Sequence, residues 1–330
     1  MTRGALLLAA VAALAALPWL ASPFLLSLAM ACLMYAGLAV SWSFFSGPSR
    51  YLSLGVSAFF GLGAYCSAWG LPALPWPAAL LLGAAIAAAF ATAVGLLTLR
   101  LSGAQFAVIT FGLGELVKYA VTWVEKSLFG TVGRIVADPP QDRTVYLTLL
   151  VLAVSAALAY RAVARSRLGL ALRGIGADEL RAATLGVDAR QARVMGFALS
   201  AAFAGAIGAA ASVRWTYVDP RTAFDPFIVF QTVLIAMVGG PARLGGPVAA
   251  AVALTLLAEL LRLRLPYLYM IVLGTLLVLS VLFLPDGLSG LWAARRGTPR
   301  LNEPAPEPGD PAPGRPVSMA PPAARGPDHA

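Results

Sequence analysis

The chain has 330 residues, 59% of them hydrophobic and only 12% charged, with a mean hydropathy of +0.80 and a net charge of +9. A soluble chain of this size carries about 25% charged residues and would leave much of such apolar surface in water. A water-soluble fold is therefore excluded, and the fold class is all-α, a polytopic transmembrane helical bundle. The positive charge does not indicate nucleic acid, because the basic residues fall between apolar segments and form no stripe with aromatic partners.

Ten apolar segments follow along the chain, each near the roughly 20 residues that cross hydrocarbon: 5–21, 24–46, 51–69, 77–99, 104–124, 145–163, 194–214, 225–240, 247–263 and 267–284. The first, preceded by Arg3, also has the outline of a signal peptide, although Trp19 and Leu20 suit a small-residue cleavage site poorly. Cys32 and Cys66 lie inside the second and third segments and read as small core residues. The third segment holds Ser53, Gly55, Ser57, Gly61 and Gly63 and is expected to be broken or partly helical. In the fifth, Glu115 and Lys118 stand three apart on one helical face; they are either a structural ion pair or groups beside a solute path. The seventh carries Gly196, Ser200, Ala204, Gly208 and Ser212 every four residues, a row predicted to let a neighbouring backbone approach closely. The eighth is short and ends in Gly239-Gly240-Pro241, and the ninth offers Glu259 and Arg262 as an interfacial pair. Asp219, Asp225, Arg214 and Arg221 flank the loop before the eighth, where they either touch a docking partner or are solvated.

The transmembrane domain is expected over 1–290, followed at 291–330 by a disordered tail dense in proline, glycine and alanine. The single histidine, His329, falls in that tail, so no histidine-based catalytic or metal centre is expected. Placing the arginine-rich stretch 161–193 and the tail inside puts both termini in the cytoplasm and 16 of the 24 lysines and arginines on that side. Arg262 and Arg264 are the charges this orientation explains least.

The loop 164–193 is the longest and most informative. It reads as a short amphipathic helix over about 178–185, then the start of the next span. Asp178 and Glu179 lie near the positive end of the short helix. Gly186 suits its stop, and Asp188 with Gln191 suits a cap for the span that follows. Leu180 and Ala183 share a face with Leu185 nearby, while Glu179 and Arg181 lie off it. Such an element docks into the groove of a partner or lies on lipid headgroups.

Glu179-x-x-Ala182-Ala183-x-x-x-Gly186 resembles the coupling loop of ABC-importer permeases. The surrounding stretch resembles the permease family for branched-chain amino acids, the LivM-like inner-membrane subunit. Three further stretches are similar to that family's signatures: Ser53-Leu-Gly55 through Tyr65, Thr110-Phe-Gly-Leu-Gly114-Glu115, and Gly239-Gly240 through Gly246-Pro247-Val248 with Phe283 to Leu288. Arg50 and Tyr51 stand where the family usually has Gly-Gln, and Ala242-Arg243 where it usually has Gly-Ser.

The resemblance implies a transport subunit rather than an enzyme, in a bacterial inner membrane. It would work with a second permease, two cytoplasmic ATPases and a periplasmic substrate-binding protein. ATP and magnesium would belong to the partner ATPases, since this chain has no Gly-x-x-x-x-Gly-Lys-Ser/Thr phosphate loop and no cofactor is expected on it. Asp178, Glu179, Arg181, Ala182, Ala183 and Gly186 would be the coupling residues. An apolar amino acid needs mostly apolar walls with a few polar groups, and Ser57, Phe59, Phe60, Gly61 and Tyr65, with Glu115, are candidates to line its path. Urea, short amides or another small solute remain possible cargoes. An ion-coupled secondary transporter using Glu115 is the rival mechanism.

Overall fold

The structure is a computed structural model that describes residues 2–283 except 100, 102, 137, 138, 266 and 267. The predicted tail from 291 and the stretch 284–288 lie outside the described residues. In chain order the elements are α1 (Thr2–Leu20), α2 (Pro23–Ser49), α3 (Val56–Gly70), α4 (Trp76–Thr98), α5 (Ala104–Phe129), β1 (Arg134–Ile135), α6 (Asp142–Arg165), α7 (Arg167–Ala177), α8 (Glu179–Thr184), α9 (Ala189–Ser212), β2 (Tyr217–Val218), α10 (Pro220–Ala223), α11 (Pro226–Gly239), α12 (Gly245–Arg264) and α13 (Tyr269–Phe283).

Seven stretches are long and apolar enough to span a membrane: α2, α4, α5, α6, α9, α12, and α10 joined to α11. With the shorter apolar stretches Ala9–Leu20 of α1 and Tyr269–Ser280 of α13, and with α3, they correspond to the ten segments read from the sequence. The chain is a multi-pass helical membrane protein. α6 runs from β1 to α7 and α9 runs from α8 to β2, so α7 and α8 lie at one end of these two spans and the two-stranded antiparallel pair β1–β2, in which Arg134 faces Val218, at the other.

The third segment departs from a full helix in a definite way. Pro48 lies in the last turn of α2, and Arg50 then takes a left-handed conformation at φ 57°. Residues 51–55 run without regular structure, and α3 begins only at Val56. Their backbone groups are satisfied from elsewhere, as membrane depth requires. The Trp42 indole donates to the Ser53 carbonyl at 2.8 Å, and the Leu54 amide donates to the Thr110 hydroxyl at 3.0 Å. The threonine of the Thr110–Glu115 signature thus anchors the start of α3.

Small residues decide the packing. The buried face of α4 is Ala79, Gly83, Ala87, Ala91 and Gly95, a stripe not singled out from the sequence. It lies against α9, and α3 joins the same contact. A Cβ on Gly63 would strike the Gly205 backbone, and one on Gly205 would strike Gly83, so the three helices meet backbone to backbone. Ser67 ties α3 to α9 by donating to the Ala209 carbonyl at 2.8 Å. At the other side of the bundle Gly239 and Gly246 touch across the α11–α12 hairpin, where Gly240 turns with φ 84°.

Candidate functional site

The loop between α6 and α9 contains more helix than its composition suggests. Besides the short helix expected near 178–185, residues Arg167–Ala177 form α7, despite three glycines that each weaken a helix by about 1 kcal/mol. Tertiary contact overrides that cost. Ser166 caps α7 by accepting from the Gly169 amide at 3.3 Å, Gly169 lies on the Val163 carbonyl, and Gly176 lies on the Pro48 carbonyl at the end of α2. Only glycine lets the helix come so near.

The second piece, α8, starts at Asp178, whose carboxylate accepts from the Arg181 amide at 3.0 Å and pairs with the Arg181 guanidinium at 3.0 Å. It ends before Gly186, at φ 80°, and Asp188 caps α9 by accepting from the Gln191 amide at 3.0 Å. Ala182 is buried in a small core with Ile175 and Ala192, so α7, α8 and the start of α9 form one packed unit. Ala183 faces outward with Leu180 and Leu185, which are 77% and 85% exposed.

Glu179 faces the other way. Its carboxylate, on a side chain about half exposed, pairs with Arg193, whose side chain is 6% exposed. The same guanidinium donates to the Tyr51 hydroxyl, to the Leu99 carbonyl at 3.1 Å and to the Ala189 carbonyl at 3.1 Å. One arginine therefore links α8 to the start of the α3 segment and to the end of α4. From the sequence Arg193 counted only towards orientation, as the last arginine before the segment 194–214, and no local pattern set it apart.

The candidates on α3 are mostly packed. The Phe59 ring lies edge-on to Phe90 and Phe197, Gly61 lies under the Phe224 ring, and Ser57 adjoins Gly114 of α5. Tyr65 stacks on Phe224 and donates to Glu125 at 3.2 Å. Phe60 lines a cavity at the β1–β2 end. Glu115 pairs with Lys118 about midway along α5, with roughly a third of its side chain exposed on the outside of the bundle. Glu125, which the sequence reading passed over, is fully buried near the β1–β2 end. It also accepts from the Gly133 amide at 2.7 Å, which pins the β1 segment to α3 and α5.

The four-residue row on α9 does not serve a single neighbour, because a step of four residues advances about 40° around a helix. Gly196 meets Leu172 and Phe45, while Gly208 meets the Phe60 backbone and Ser212 reaches the Ala64 carbonyl at 3.4 Å. Ala204 is buried and Ser200 half-buried. At the α7–α8 end a cavity of about 680 Å³ opens between α2, α6, α7 and α11, lined by Trp42, Arg50, Tyr160, Arg173 and Met237.

No curated protein and no solved structure matches the chain. The family model described as branched-chain amino acid transport system, permease component, matches residues 24–281, which takes in α2 to all but the last turn of α13 and the whole α7–α9 unit. The chain belongs to the family of branched-chain amino acid transport permeases.

Proposed function

We propose that this chain is the membrane-spanning permease subunit of an ATP-driven importer of branched-chain or similar apolar amino acids in a bacterial inner membrane. It pairs with a second permease, two cytoplasmic ATPases and a periplasmic binding protein. The observation that carries the reading is α8: a helix that presents Leu180, Ala183 and Leu185 to solvent while its opposite side is fastened through Glu179 and Arg193 to the spans. An apolar face on a short rigid lever suits helix-in-groove docking. A push on α8 reaches Tyr51 and Leu99 through one side chain rather than through a flexible loop. ATP binding on the partners would move α8 and bias the spans between two arrangements. The Glu115–Lys118 pair, partly exposed midway along α5, suits a face covered by the second permease, since lipid tolerates charge at that depth poorly.

The test is the double variant Leu180→Asp with Leu185→Asp. Both side chains are exposed, so insertion and thermal stability should be unchanged. The ATPase chains that copurify with the unaltered protein should be lost, and uptake should fall by at least tenfold. Normal ATPase recovery and uptake would remove α8 as the coupling element.

A further inference from the structure

At the β1–β2 end, between α2, α6, α9, α11 and α12, lies a cavity of about 390 Å³, to which the signature stretches contribute Phe60. It is within the ~300–1,000 Å³ range of small-molecule sites. Its wall divides by chemistry. Two acids, Asp225 and Glu259, and two bases, Arg214 and Arg262, border it, while Met30, Met34, Phe60 and Ile228 give an apolar wall. Glu259 and Arg262 stand three apart on α12, yet among the described residues they make no ion pair. The expected interfacial pair between them is thus absent. Asp225 caps α11 through one carboxylate oxygen, at 2.9 Å from the Phe227 amide.

The depth of the cavity is polar as well. Gln231 and Thr255 line it, each 4% exposed, and the Thr255 hydroxyl has no hydrogen-bond partner among the described residues. Two charges of each sign beside apolar side chains match a ligand that carries one ammonium, one carboxylate and a hydrocarbon group.

We infer that this cavity is the subsite in which the permease itself receives a free zwitterionic amino acid, with Arg262 and Arg214 facing the carboxylate, Glu259 and Asp225 the ammonium, and Met30, Met34 and Phe60 the side chain. The inference rests on the importer reading, in which this end faces the periplasm. It gives the chain its own selectivity, beyond that of a binding protein.

The full-length chain, purified in mild detergent with the chains that accompany it, is tested with three probes. L-leucine carries both charges, 4-methylpentanoate only the carboxylate and 3-methylbutylamine only the ammonium. Leucine should bind at least ~10-fold more tightly than either, as expected when a charge-assisted hydrogen bond is lost. Glu259→Gln should weaken leucine by about 10-fold and leave 4-methylpentanoate unchanged; Arg262→Gln should weaken leucine similarly and leave 3-methylbutylamine unchanged. Misfolding would weaken all three probes together, so the crossed pattern belongs to a site alone. Any other pattern overturns the assignment, including no leucine binding by the unaltered chain. Uptake by the intact transporter is measured alongside. If uptake stays ATP-driven while the pattern fails, only the cavity is lost; if uptake follows an ion gradient instead, the importer reading itself is lost.

Discussion

Gly186 shows how a single residue can be required by backbone conformation alone. Its φ of 80° lies in the region that a side chain disfavours, and a Cβ there would meet nothing within 4 Å. The cost of substitution is therefore torsional, about 1–2 kcal/mol for a β-branched residue. Gly186→Val should loosen the α8–α9 turn and lower uptake, whereas Gly186→Asn, which tolerates the left-handed region, should restore most of it. Hydrogen exchange of the α8 amides checks the cause, with faster exchange expected in the valine variant only. Arg193 is the opposite case. Its importance comes from what lies around it, four partners on four parts of the chain, and nothing in its immediate sequence announces them.

Among elements, α3, α4 and α9 meet backbone to backbone at one junction. Three glycines, Gly63, Gly83 and Gly205, allow contact between backbones, while nearer the start of α3 the Phe59 ring interlocks edge-on with Phe90 of α4 and Phe197 of α9. The contact at the glycines is smooth, which suits the tilting that the proposed transport cycle requires. Gly63→Val should force the helices apart at a cost of about 1–3 kcal/mol, seen as a lower melting temperature in detergent. Gly112→Ala is the matched control. It sits on the exposed side of α5 with open space around it, so stability should hold or rise slightly. Equal losses in both would mean that the close approach is not what holds these helices.

For the whole molecule, the decisive property is sidedness. The α7–α8 unit and the 390 Å³ cavity lie at opposite ends, so the proposed ATPases on one side and the proposed substrate supply on the other require a fixed orientation. With Cys32 and Cys66 replaced by alanine, Arg181→Cys should react with a membrane-impermeant maleimide only when the reagent is admitted to the cytoplasm. Arg221→Cys should react in intact cells. Both positions are exposed on the protein surface. The reverse pattern would place α8 outside and end the importer reading.

Hydropathy by itself determined the class and the ten apolar segments, because each span must hide its own backbone groups from lipid and so announces itself within some 20 residues. Local chemistry likewise set the Asp178 and Asp188 caps and the Gly186 turn, which involve residues three or fewer apart. What α7 packs on, which stripe α4 turns inward, and why Tyr51 matters were decided by residues far apart in the chain. Arg193 meets Tyr51 across 142 positions, and no local pattern records that meeting. The cavity is the clearest case. Arg262 looked misplaced as an orientation charge and Glu259 looked like its pair, and only the packing of five helices brings both, with Thr255 and Asp225, around one space. A span's presence is a property of one segment, whereas a site belongs to the volume that several segments enclose.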